Sequence, residues 1–125
     1  MRHLLLAAVL SLSTSAAFAQ ETRPSLKIPT TVFLAAASAD WITTGMALTT
    51  PGITEGNPLL GFTNNHPTGT VAALVVSDIV GTLLITKVLA PRKPKLARTL
   101  LYVFAGTRGA VAIHNARAIS ATQRR

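Results

Sequence analysis

No cysteine occurs among the 125 residues, which excludes disulfide scaffolds, cysteine-based zinc sites and thiol catalysis. Acidic residues are almost as scarce. Glu21, Asp40, Glu55 and Asp78 stand against 12 Lys and Arg, a formal net charge of +8. The metal, nucleophile-elbow and phosphate-loop patterns HExxH, GxSxG and GxxxxGK are absent, and no paired-carboxylate spacing occurs, so no cofactor, no metal and no enzyme activity are expected. Nucleic-acid binding would need cations clustered around aromatic platforms. Here they lie in short groups at the ends of apolar stretches, an arrangement suited to anionic lipid headgroups, and no nucleic-acid partner is expected.

What is present begins with an N-terminal leader. Arg2 and His3 give a basic start, residues 4–12 an apolar run, and Ala17-Phe18-Ala19 a small-x-small end before Gln20. This pattern predicts a secretory signal peptide over 1–19, followed by a polar lead over 20–27. The apolar run is too short to span a bilayer. Export through such a signal points to the bacterial inner membrane.

The remaining apolar residues are bunched. Stretches 28–49, 69–90 and 99–119 hold 40 of the 48 apolar residues that follow the leader. At about 1.5 Å rise per residue each gives roughly 32 Å of helix, close to the hydrocarbon thickness of a bilayer. The predicted fold is therefore all-α: a small helical membrane bundle of three transmembrane helices over 28–119, closed by a basic tail at 120–125. Against this stands a soluble exported helical domain. None of the three stretches runs 18 residues without a charge, the first is rich in Thr, and the third contains Arg108, His114 and Arg117. No internal repeat or low-complexity tract is present.

The charges inside the stretches fall at one depth. Asp40, Asp78 and Arg108 each lie within about two residues, or roughly 3 Å, of the middle of their own stretch. A lone charge at the bilayer centre costs several kcal/mol, so such residues face one another, a water-filled cavity or a partner. At helical spacing Asp40 shares a face with Ala36, Ala37, Thr44 and Ala47, Asp78 with Gly81 and Thr82, and Arg108 with Ala105, Ala112 and Asn115. Small residues on those faces permit close helix approach. Three roles fit the cluster: a buried polar lock among weakly apolar helices, a proton or cation site built on the spare carboxylate, or a charge that awaits a partner subunit. Thr44, Asn115 and His114 are secondary polar candidates. His114 lies about 120° from Arg108 around the helix and is expected to face a connector or headgroups.

The first connector carries Glu55-Gly56-Asn57-Pro58. Asn57 can cap a short turn that starts at Pro58, Gly56 permits a bend, and Glu55 can accept from exposed backbone donors. A catalytic pair of Glu55 with His66, or a Glu55/His66/His114 metal site, is the weaker alternative. The second connector, Pro91-Arg92-Lys93-Pro94-Lys95, is short and predicts an antiparallel hairpin of the second and third stretches.

Asp40 followed by Thr44, then Glu55-Gly56-Asn57-Pro58, then two apolar spans with Tyr102 and Asn115, resembles a bacterial family of small three-span membrane proteins of unknown function. The resemblance covers about 33–116 and implies a membrane fold without an assigned activity. A signal peptide and the polar residues Arg108 and His114 depart from the family pattern, which bears on topology. Two topology rules also disagree. A processed signal places 50–68 and the tail in the cytoplasm, while the positive-inside rule favours the reverse, six Lys and Arg against two. The signal-based orientation is the expectation here. The expected partners are the lipid bilayer and either another membrane protein or a second copy of the chain. The expected role is that of a structural or accessory subunit, with proton- or ion-coupled transport through Asp40 and Asp78 as the alternative.

Overall fold

The computed structural model describes residues 24–53 and 63–124. The leader, the start of the polar lead, Glu55, Asn57, Pro58 and Arg125 lie outside the described residues. Among the described residues the fold has three long helices: α1 (Lys27–Thr49), α2 (Pro67–Leu83, prolonged by a widened turn over Leu84–Leu89) and α3 (Pro94–Gln123). All three are long and apolar enough to cross a membrane. The fold is an all-α bundle.

Proline sets the starts. Pro67 and Pro94 occupy first-turn positions, where a missing N–H costs nothing and the fixed φ suits a helix. Helix α1 ends in a tight turn in which Ile53 N–H donates to the Thr50 carbonyl at 3.2 Å. Pro51 precedes Gly52, whose φ of 85° meets the left-handed requirement of a type II turn. At the far end of α2 the Ala90 N–H reaches back five residues to the Ile85 carbonyl at 2.9 Å. Pro91 has no N–H to offer the preceding turn, and the widened coil brings Ile85 and Ala90, both buried, onto the core.

Side-chain contacts fix the directions. Phe33 lies 6.4 Å from Phe104 between ring centroids, and Thr44 meets Asn115, so α1 and α3 run parallel. Gly45 faces Val71 while Trp41 meets Asp78, so α2 runs antiparallel to α1. The hairpin expected from the 91–95 connector is present, with Lys93 N–H donating to the Leu89 carbonyl at 2.8 Å. Helix α3 exceeds the expected 99–119. Pro94 lets it start earlier, and its last turns pack by Thr122 against the Gly52 turn. At about 1.5 Å per residue its 30 residues are longer than a bilayer core is thick.

The core is made of small residues and the surface of large ones. Ala37, Ala47, Ala97, Ala105 and Ala112 are buried along with Phe33 and Leu101, whereas Ile28, Ile42, Val76, Leu83, Val103 and Ile113 are exposed. Water would penalise that distribution and lipid accepts it, because close packing of small residues is what joins helices in a bilayer. The Thr content that weighed against a membrane span is explained by the hydroxyls. Those of Thr31, Ser38, Thr43, Thr49, Thr82, Thr86, Thr99 and Thr107 each donate to the carbonyl four residues back. Satisfied within their own helix, they need no water.

Candidate functional site

Asp40, Asp78 and Arg108 meet in the middle of the bundle. Each lies within two residues of the midpoint of its observed helix, counting Pro67–Leu89 as one span. The Arg108 guanidinium joins the other two helices at once. Its Nη1 donates to Asp40 Oδ2 on α1 at 2.8 Å, and its Nη2 to Asp78 Oδ1 on α2 at 2.6 Å. A planar fork with two divergent donors can hold two carboxylates in this way, which an ammonium could not do with the same fixed geometry.

The remaining carboxylate oxygens are also taken. Thr44 Oγ1 donates to Asp40 Oδ1 at 2.9 Å, and Asn115 Nδ2 donates in turn to Thr44 Oγ1 at 2.9 Å. Trp41 Nε1 donates to Asp78 Oδ2 at 2.8 Å. The result is one chain of contacts from Asn115 through Thr44, Asp40, Arg108 and Asp78 to Trp41. No buried side-chain nitrogen or oxygen among the described residues lacks a partner. Asp40 is 1% exposed, and within Pro67–Leu83 Asp78 is the only buried residue. Along that segment of α2, the polar contact ties the helix to the α1–α3 pair.

Of the expected site residues, Asp40, Asp78, Arg108, Thr44 and Asn115 all enter this network. His114 does not: it is exposed on α3, in keeping with its position about 120° round from Arg108. Glu55, Asn57 and Pro58 lie outside the described residues. His66 sits exposed at the start of α2. No group of three metal-ligating side chains occurs among the described residues. Trp41 was missed. An indole N–H beside Asp40 on a helix meant to be buried needs an acceptor, and that need was the available signal.

Two cavities flank the cluster. One of about 530 Å³ runs from Asp40, Thr44 and Arg108 past Thr70 to Thr63 and His66. The other, about 390 Å³, lies against Asp78, Phe33, Ile85 and Phe104. Arg108 and Ser77 line both, Asp40 only the first, and Asp78 only the second.

At the hairpin end Lys27, Lys87, Arg92, Lys93, Lys95 and Arg98 gather, and the Arg98 guanidinium lies 5.9 Å from the Tyr102 ring centre. No family model matches the chain, and no curated protein or solved structure shows significant similarity to it.

Proposed function

We propose that the chain is a small inner-membrane protein, brought to the membrane by residues 1–19 acting as a signal peptide, and that it serves as a structural or accessory subunit. The closed Asp40–Arg108–Asp78 network carries this reading. A site built to act on a substrate leaves polar groups free to meet it, whereas here Arg108, Asp40 and Asp78 are engaged with one another and with Thr44 and Trp41. Such a network fixes register and orientation among helices that have little else to specify them. The exposed face of α2, with Val76, Ile79, Val80, Leu83 and Leu84, is available to lipid, to a membrane-protein partner or to a second copy.

An alkaline carbonate wash tests the membrane assignment: the chain stays with the membrane pellet, and recovery in the aqueous supernatant would overturn it. Asp78→Asn tests the role. The variant should lose folding stability or detergent-resistant assembly. The cavities on both faces of Arg108 favour a second reading, proton- or ion-coupled transport. A variant that stays fully assembled yet loses pH-driven flux in vesicles would select it.

A further inference from the structure

Two carboxylates share one guanidinium, so with both ionised the cluster has one uncompensated negative charge in the membrane interior, and a single proton removes it. The oxygens not held by Arg108 differ in what they face, and that difference decides which aspartate can take the proton without losing a partner.

Asp78 is surrounded by donors that cannot accept. Its Oδ2 faces the Trp41 indole N–H and its Oδ1 faces an Arg108 N–H. A proton on the free lone pair of either oxygen would find no acceptor in these partners. Asp40 Oδ1 instead faces the Thr44 hydroxyl, which can donate or accept. With Asp40 protonated, its O–H donates to Thr44 Oγ1, and the threonine hydrogen turns to a carbonyl one turn back, as other hydroxyls in these helices do. The Asn115 amide keeps donating to Thr44 Oγ1 in both states, since that oxygen has two lone pairs.

Access differs in the same sense. Asp40 lines the larger cavity, whose wall includes the hydroxyl-bearing Thr44, Thr63, Thr70 and Ser77 and which reaches His66 at the start of α2. Asp78 lines only the smaller one, which has the hydroxyls of Ser77, Thr82 and Thr107 beside Phe33, Ile85 and Phe104 but does not reach His66. The charged and titratable groups around Asp40 are Arg108 from α3, Asp78 from α2 beyond it, and His66 at the cavity mouth.

We infer that Asp40 is a proton-binding site in the membrane interior, that Asp78 is the standing counter-ion of Arg108, and that the cavity reaching His66 is the route by which the proton arrives. This adds a ligand, the proton, to the cluster and rests on the same three-helix contact as the proposed lock.

Asp40 and Asp78 are the only aspartates, and Trp41 is the only tryptophan. Solid-state NMR on the unmodified protein in lipid vesicles, with ¹³C at the aspartate carboxyl and ¹⁵N at the indole nitrogen, can therefore tell them apart. The carboxyl whose signal dephases against the indole nitrogen is Asp78. As the pH is lowered, the other resonance should be the first to move from the shift of an ionised carboxylate to that of a protonated acid, while this one stays where it is. Protonation first at the carboxyl coupled to the indole, or of both together, would overturn the assignment.

For the route, Ala73→Leu narrows the larger cavity and should slow deuterium exchange at the Asp40 carboxyl, while Gly81→Leu in the smaller cavity leaves it unchanged. The reverse pattern refutes the route. The carboxyl shifts report the proton whether or not the cluster stabilises the bundle, so failure here is separable from failure of the structural reading.

Discussion

Replacing Arg108 by Met removes the one cation from a site that buries two acids. The substitution forfeits contacts of 2.8 Å and 2.6 Å and leaves Asp40 and Asp78, 1% and 8% exposed, with only the Thr44 hydroxyl and the Trp41 indole as donors. Breaking a buried ion pair from one side costs about 3–5 kcal/mol. Insertion scales give a compatible figure, about 2.5–3.5 kcal/mol for one aspartate at the bilayer centre. The expected loss is therefore about 3 kcal/mol or more, roughly a hundredfold in the ratio of folded to unfolded protein. Unfolding by sodium dodecyl sulfate in mixed micelles, followed by far-ultraviolet circular dichroism, measures it. The control is the triple variant Asp40→Asn, Asp78→Asn, Arg108→Met. It has no midplane charge, and its amide oxygens can still accept from Thr44 and Trp41, so most of the lost stability should return. An Arg108→Met protein that unfolds at the wild-type midpoint, or a triple variant no better than the single one, refutes the reasoning.

Trp41→Phe deletes one hydrogen bond to a charged acceptor and should cost about 1.5–3 kcal/mol, less than Arg108→Met, in the same unfolding assay. Equal stability to wild type would mean the indole contact contributes nothing. Because Trp41 is the only tryptophan, Asp78→Asn should shift the fluorescence emission of the folded protein, and an unchanged spectrum would place the indole elsewhere. A Cβ at Gly45 would sit 3.4 Å from Val71 Cγ2, so Gly45→Leu should wedge α1 from α2 and cost about 1–3 kcal/mol, read from the unfolding midpoint. If residues 1–19 direct insertion as proposed, a reporter active only outside the cytoplasm should work when fused after Pro91 and fail when fused after Arg125. The opposite pattern would assign orientation to the cations of the hairpin.

The three spans and the depth of their charges were legible because both follow from counting. Bunched apolar residues fix where helices lie, and a constant rise converts sequence position into depth. The angular faces were legible for the same reason: Ala37, Ala47, Ala105 and Ala112, placed beside the charges by helical spacing, are buried. The ends were less so. Polar residues at 94–98 and 120–123 look like connector and tail, yet Pro94 suits a helix start, and packing of Thr122 near Gly52 favours continuing the last turns. Trp41 could not be placed by periodicity alone, since it lies about 100° around the helix from Asp40 and reaches the cluster only through the length of its ring. The cavities were not legible at all, because they depend on how far α2 stands from α3.

Why this bundle invests charge at its centre follows from what a bilayer withholds. Between helices in lipid there is no hydrophobic driving force, because acyl chains solvate Val76 or Leu83 as well as a neighbouring helix does. Small residues can bring α1 and α3 together through close packing, and the alanine faces of those two helices serve that end. Helix α2 has no comparable face: within Pro67–Leu83 only Asp78 is buried. An aspartate there is costly alone and satisfied only beside Arg108 and Trp41, so the same residue that would oppose insertion of α2 in isolation directs where it must dock. The penalty for a wrong register supplies the specificity. Sliding α2 by one turn moves Asp78 about 5.4 Å along the helix axis, beyond the reach of hydrogen bonds now 2.6 Å and 2.8 Å long, and returns the full cost of a lone charge.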